Sequence, residues 1–158
     1  MTRQEALPLR VALGAIACAA VFAQVMLPLL AGGYAAAYPQ AANLAVPYAA
    51  AAIAAIACFE VALLAGWQIL TAVVAEGALT LSTTTWVNVM AVSLGLTGIT
   101  LAGICAHAGS VAAVGGPAML FGLVAGLALV PAAVVLRNRF LQLSTEPGPD
   151  MRSPGHSM

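Results

Sequence analysis

The chain has 158 residues, of which 63% are hydrophobic and only 6% are charged. Its mean hydropathy is +1.03. An ordinary soluble domain is about 25% charged, so this composition excludes a water-soluble fold and predicts an α-helical integral membrane protein. The formal net charge is +0 and the chain has no lysine, which excludes the electrostatic attraction on which nucleic-acid binding depends.

Four apolar segments are each long enough to cross a bilayer, for which a helix needs about 20 residues. We predict helices at residues 9–31, 47–74, 85–107 and 117–138. Pro47 and Pro117 are expected to open the second and fourth helices, where a missing N–H costs nothing. The predicted fold class is therefore all-α, a four-transmembrane-helix bundle forming one membrane domain over residues 1–142. Residues 143–158 are rich in Pro, Gly and Ser and are predicted to be a disordered cytoplasmic tail.

The arginines predict the orientation of the bundle. Arg3 and Arg10 precede the apolar body, Arg137 and Arg139 follow it, and no connecting loop contains Lys or Arg. By the positive-inside rule both termini lie in the cytoplasm, which predicts a multi-pass membrane protein. Aromatic side chains are expected to anchor the two interfaces, the tryptophans inside and the tyrosines outside: Trp67, Trp86, Tyr34, Tyr38 and Tyr48.

A second interpretation of the first helix stays open. Its basic start, its apolar run and the small residues Ala35–Ala37 resemble a secretory signal with a cleavage site. The apolar run from Val11 to Leu30 is longer than the roughly 7–15 residues of a typical signal core, which favours a retained helix.

Glu60 is the one acidic residue deep inside an apolar segment. It lies 13 residues after Pro47, roughly 20 Å along the helix and near the middle of a tilted span. A charge at that depth costs about 2.5–3.5 kcal/mol on insertion. We therefore expect Glu60 to be protonated or hydrogen-bonded to a neighbouring helix, where Thr97 and Thr100 lie at a suitable depth. A single polar contact between helices is favoured, because no second intramembrane charge accompanies it; the alternative is a proton- or cation-binding carboxylate.

Two further patterns lie in the first and fourth helices. Pro28 removes the hydrogen bond to the carbonyl of Gln24, which predicts a helix kink, with a ligand pocket as the alternative. Gly122 and Gly126 form a GxxxG pattern, which lets two helix backbones approach closely. In a chain so rich in Ala and Gly, packing within the chain is favoured over a dimer.

No catalytic residue, cofactor site or metal site is predicted. Cys18, Cys58 and Cys105 fall in three different apolar segments without CxxC spacing, so they are expected to behave as small hydrophobic residues. His107 is alone at the end of the third helix and is assigned no role.

Several landmarks together resemble the bacterial membrane family catalogued as domain of unknown function 2975, in its actinobacterial form. They are Phe22-Ala23-Gln24 with Pro28, Tyr38-Pro39-Gln40, Val46-Pro47-Tyr48, Ala57-Cys58 to Trp67, and Trp86-Val87-Asn88. The resemblance covers about residues 10 to 142 and implies a four-helix inner-membrane protein without an established activity. Some relatives accompany small helix-turn-helix regulators, which implies a regulatory or stress role.

The chain departs from that family in three places. Relatives carry Arg or Lys in the turn after the Trp67 position, where this chain has Val74-Ala75-Glu76-Gly77. Relatives often have Gln at the position of Glu60, which weakens the case for an essential carboxylate. A polar helical extension after the fourth helix is replaced by the short Pro-rich tail.

Together these observations favour a non-enzymatic accessory, regulatory or interaction subunit in the lipid bilayer, with a membrane-protein partner or a second copy of itself. The alternative is a small proton-coupled transporter that uses Glu60. A thiol oxidoreductase fails on the spacing of its cysteines.

Overall fold

The computed structural model of the protein describes residues 3–39, 42–76, 81–110 and 116–145, which form four helices. The helices are α1 (Arg3–Ala37), α2 (Ala42–Glu76), α3 (Leu81–Ser110) and α4 (Pro117–Thr145). Each contains a stretch long and apolar enough to span a membrane: Leu7–Ala37, Ala42–Ala75, Thr83–Ser110 and Pro117–Gln142. The predicted all-α fold with four membrane-spanning helices is confirmed, and the described ranges contain no strand.

The helices run beyond their predicted bounds at most ends. α1 continues through Gly32 and Gly33 to Ala37, and α2 begins at Ala42, before Pro47. A helix satisfies its own backbone hydrogen bonds, so an apolar chain gains by staying helical until water can replace those bonds. α4 reaches Thr145, so residues 143–145 are helical although they were predicted to belong to the tail. The rest of the predicted tail, residues 146–158, lies outside the described residues.

The four helices pack as an open row in chain order. α1 packs on α2, α2 on α3, and α3 on α4. No Cα atom of a helix lies within 8 Å of a helix that is not its neighbour in the chain, over the ranges that the structure describes. α1 and α4 are therefore the outer helices of the row, with one neighbour each.

Side-chain contacts near the helix ends show that consecutive helices are antiparallel. Each contact joins the beginning of one helix to the end of the next helix in the chain: Arg10 with Trp67, Tyr48 with His107, and Asn88 with Arg137. The beginning of α1, the end of α2, the beginning of α3 and the end of α4 thus share one end of the row. That end carries both tryptophans, and the opposite end carries the tyrosines.

The packing between helices relies on small residues. Between α2 and α3 the buried core contains Ala62, Ala65, Ile69, Val87 and Met90. Ala65 is fully buried, because a small side chain there lets the two helix axes come close.

The GxxxG pattern of α4 packs within the chain, as favoured by the sequence. A Cβ atom built on Gly126 would lie 2.7 Å from the carbonyl oxygen of Gly98 and 2.8 Å from the backbone nitrogen of Ala102. A Cβ atom on Gly122 would lie 2.6 Å from Sγ of Cys105. At Gly126 the α3–α4 crossing is therefore a backbone-to-backbone contact with no room for a side chain, whereas at Gly122 the neighbour is the side chain of Cys105.

Candidate functional site

The interface between α1 and α2 holds a hydrogen bond between two polar side chains inside the membrane-spanning segments. Nε2 of Gln24 donates to Oε2 of Glu60 over 3.2 Å. Gln24 and Glu60 are both half-buried. The expected hydrogen bond between Glu60 and a neighbouring helix is present, and the partner of Glu60 is the side-chain amide of Gln24 on α1.

The second oxygen of Glu60 has no partner. Its Oε1 atom is buried and makes no hydrogen bond. A buried carboxyl oxygen without a hydrogen bond is costly in an apolar medium. Glu60 thus keeps one oxygen available for a proton or for a donor that approaches along the α1–α2 interface.

A cavity of about 230 Å³ lies beside this carboxyl group, and we call it the α1–α2 groove. Its lining comes from both helices and is apolar except for Glu60 and the ring nitrogen of Trp67: Leu13, Gly14, Ala17, Val21, Glu60, Leu63, Leu64 and Trp67. Val21 and Leu64 are exposed, so the groove opens toward the surface of the protein.

The groove follows from the helical spacing of its residues. On α2, Glu60, Leu64 and Trp67 recur at intervals of four and three residues, which puts them on one face. On α1, Gly14 and Ala17 face this side, and their lack of bulk leaves the space open. No heavy atom lies within 4 Å of a Cβ atom built on Gly14.

The positively charged side chain of Arg10 lies at the end of the groove nearest the N-terminus of the chain. The guanidinium carbon of Arg10 lies 5.9 Å from the centroid of the Trp67 ring, in a cation–π arrangement. Nε of Arg10 is buried and has no hydrogen-bond partner. Trp67 lies seven residues after Glu60, which separates the two levels by roughly 10 Å along the helix.

The two threonines proposed as partners of Glu60 lie elsewhere. The hydroxyl of Thr97 is 2.9 Å from the carbonyl oxygen of Ser93 and 3.3 Å from that of Ala55. Thr97 therefore links α3 to the backbone of α2, and not to the carboxyl group. Thr100 is half-buried on α3 and takes no part in the Gln24–Glu60 pair.

His107 has a partner that the sequence did not reveal. Oη of Tyr48 lies 2.7 Å from Nδ1 of His107, and the two rings meet edge to face at 5.8 Å between centroids. This contact joins α2 to α3 at the end of the row where the tyrosines lie. The sequence offered one signal for this contact: Tyr48 lies near the beginning of α2 and His107 near the end of α3, and these ends meet when consecutive helices are antiparallel.

The other predicted anchors also lie at the helix ends. The rings of Tyr34 and Tyr38 are in contact at the end of α1, with centroids 4.8 Å apart and ring planes inclined by 36°. Trp86 lies near the beginning of α3 and packs against the core between α2 and α3. Among the described residues, the three cysteines are free and no three His, Cys, Asp or Glu side chains are close enough to hold a metal ion together.

Comparison with known proteins identifies the family. The family model described as "Protein of unknown function (DUF2975)" matches residues 29–142, which is more than half of the chain. The match includes Glu60 and Trp67, and it begins after Gln24. No curated protein and no solved structure matches the chain. The chain belongs to the DUF2975 family of proteins of unknown function.

Proposed function

We propose that the protein is a non-enzymatic, multi-pass protein of a bacterial inner membrane that acts as an accessory or regulatory subunit by packing against another membrane protein. The observation that carries this proposal is a row of exposed alanines on each outer helix. On α1 the row is Ala12, Ala15 and Ala19, and on α4 it is Ala125, Ala128 and Ala132.

Both rows have the spacing of a helix–helix contact surface. Successive alanines are three and then four residues apart, so each set lies on one face of its helix. In a membrane, small side chains are enriched where helices meet, because they let two backbones approach and gain van der Waals contact. The α3–α4 crossing uses glycines for the same purpose.

The position of these helices in the row leaves their alanines uncovered. No residue in the span of α1 is buried within the protein, and in the span of α4 only Gly126 and Ala133 are buried. A partner helix could therefore reach either surface without rearranging the four helices.

The charges support an orientation with both termini in the cytoplasm. Arg10 and Arg137 lie at the same end of the row, because each contacts the helix end that the antiparallel packing places there. Arginine flanking a span favours the cytoplasmic side.

The test of the proposal is cross-linking in native membranes followed by affinity capture. We expect a specific membrane protein, and we expect Ala15→Leu and Ala128→Leu to reduce its recovery at least several-fold, because a leucine keeps the backbones apart. Val25→Leu and Leu127→Met are the matched controls, since both positions are 59% exposed and lie off the alanine rows. Equal recovery with all four variants, or a monomer without a partner, would contradict the proposal; recovery of a tagged second copy would identify a homo-oligomer.

A second candidate function is proton-coupled transport, and the unpartnered Oε1 of Glu60 favours it. A membrane carboxyl group that can exchange a proton is the minimum requirement of such a carrier. The protein would be reconstituted in vesicles, and proton flux would be compared with that of Glu60→Gln. Glutamine retains a hydrogen-bonding group toward Gln24 but cannot take up a proton. Flux that is unchanged by this substitution would eliminate the candidate.

A further inference from the structure

The α1–α2 groove combines an apolar lining with one buried, unpartnered carboxyl oxygen. We propose that it binds a small hydrophobic amine in its protonated form, with the ammonium group donating to Oε1 of Glu60 and the apolar part lying along Leu63, Leu64 and Trp67. This inference rests on the groove alone and does not depend on which of the two functions above is correct.

The charge of the groove selects a cation. Glu60 is the one acidic side chain in the lining, and the amide of Gln24 already satisfies its other oxygen. A lipid acyl chain would fill the groove but would leave Oε1 without a donor, at the cost of an unsatisfied polar group. An ammonium group supplies both the donor and the opposite charge.

Arg10, at the Trp67 end of the groove, determines the direction in which the ligand is expected to bind. Arg10 lies over the Trp67 ring, so a second cation at that end would be repelled. The ligand is therefore expected to place its ammonium at Glu60 and its apolar end toward Trp67, about two helical turns away.

The volume of the groove limits the size of the ligand. A cavity of about 150 Å³ is enough for benzene, so 230 Å³ has room for one aromatic ring and a short aminoalkyl chain. 2-Phenylethylamine has this size and charge. 2-Phenylethanol has nearly the same shape and is neutral, which makes it the matched control ligand.

Tryptophan fluorescence of the full chain in lipid nanodiscs tests the proposal. The chain has two tryptophans, so the substitution Trp86→Phe leaves Trp67, in the groove, as the reporter. We expect a saturable change in Trp67 emission with 2-phenylethylamine. Glu60→Gln should weaken this binding at least ten-fold, while the response to 2-phenylethanol stays weak and equal in both proteins.

A second substitution tests the groove without changing Glu60. Gly14→Leu would place a side chain in the groove, and the Cβ position there is free of neighbours, so the fold should be kept. It should abolish amine binding. Gly32→Leu is its control in the same helix, because that Cβ position is also free of neighbours and Gly32 lies outside the groove.

Three results would overturn the proposal. The first is a response to the amine that does not saturate, which would indicate partition into the lipid. The second is binding of amine and alcohol with equal affinity, which would indicate that the positive charge of the ligand contributes nothing to binding. The third is amine binding that survives both Glu60→Gln and Gly14→Leu.

Discussion

At the scale of single residues, Gln24 and Glu60 form a polar contact inside the membrane-spanning segments of α1 and α2. The carboxyl group lies in a segment where a charge is costly, and one hydrogen bond from Gln24 satisfies only half of its acceptors. Hydrogen bonds between membrane helices contribute about 0.6 kcal/mol on average and about 1.7 kcal/mol at most. The pair therefore contributes little stability, but it is a side-chain hydrogen bond that joins α1 to α2 inside their membrane-spanning segments.

Replacing Gln24 tests this contribution directly. We expect Gln24→Leu to lower the free energy of unfolding by about 1 kcal/mol, because Oε2 of Glu60 then also lacks a donor, as Oε1 already does, while the added apolar area offsets part of the loss. Unfolding in mixed micelles with increasing dodecyl sulfate would measure the change. Gln68→Leu is the matched control, since Gln68 is exposed on α2. If both variants unfold alike, the pair does not stabilise the α1–α2 interface.

The sequence predicted the depth of Glu60 but not the identity of its partner. Depth follows from residue number at 1.5 Å of rise per residue, and Gln24, Thr97 and Thr100 are all at a suitable depth. Which of them meets Glu60 depends on how α1 and α3 rotate about their own axes against α2. In retrospect Gly14, Ala17, Val21 and Gln24 recur at intervals of three and four residues on α1, the same stripe that faces Glu60 and Trp67.

At the scale of elements, each helix interface is built differently. The α3–α4 crossing depends on glycines whose hydrogens face backbone atoms of the other helix. The α2–α3 interface depends on alanines with larger residues around them. The α1–α2 interface leaves a groove, and no residue in the span of α1 is buried. The GxxxG pattern was visible in the sequence, whereas its partners Gly98 and Ala102 were not, because many small residues of α3 have similar spacing.

Adding one methyl group at the α3–α4 crossing should separate the helices. We expect Gly126→Ala to destabilise the protein by about 1–3 kcal/mol, the usual cost of overpacking, since the new Cβ would meet the backbone of Gly98 and Ala102 at less than 3 Å. Thermal unfolding followed by circular dichroism in detergent would measure it.

Gly95→Ala is the control for that substitution. A Cβ atom at Gly95 has no neighbour within 4 Å, and both variants gain the same helix propensity from replacing glycine with alanine. The difference in stability between the two variants therefore measures only the effect of the added methyl group at the α3–α4 crossing. A Gly126→Ala protein as stable as the Gly95→Ala protein would show that the two helices can move apart without cost.

At the scale of the whole molecule, the helix count followed from hydropathy, but the open row did not. Hydropathy measures whether a segment tolerates lipid, and all four segments pass that test. It does not say which helices touch, because a face packed on another helix and a face in lipid are both apolar. The ends of the helices were predicted too short for a related reason: Gly32-Gly33 and Pro47 favour breaks in water, while helical backbone hydrogen bonding prevails close to a bilayer.

The antiparallel row makes a prediction about topology when it is combined with the proposed orientation, in which the arginines lie on the cytoplasmic side of a bacterial inner membrane. Ser110 ends α3 at the tyrosine end of the row, and Asn138 lies beside Arg137 and Arg139 at the opposite end; both are exposed. In a protein whose three native cysteines are replaced by alanine, Ser110→Cys should react with a membrane-impermeant maleimide added to intact cells from the periplasmic side. Asn138→Cys should react only after the inner membrane is permeabilised, because positive residues are retained on the cytoplasmic side. The reverse labelling pattern would place the Arg10–Trp67 end outside, and labelling of both cysteines in intact cells would contradict the assignment of α4 as a membrane-spanning helix.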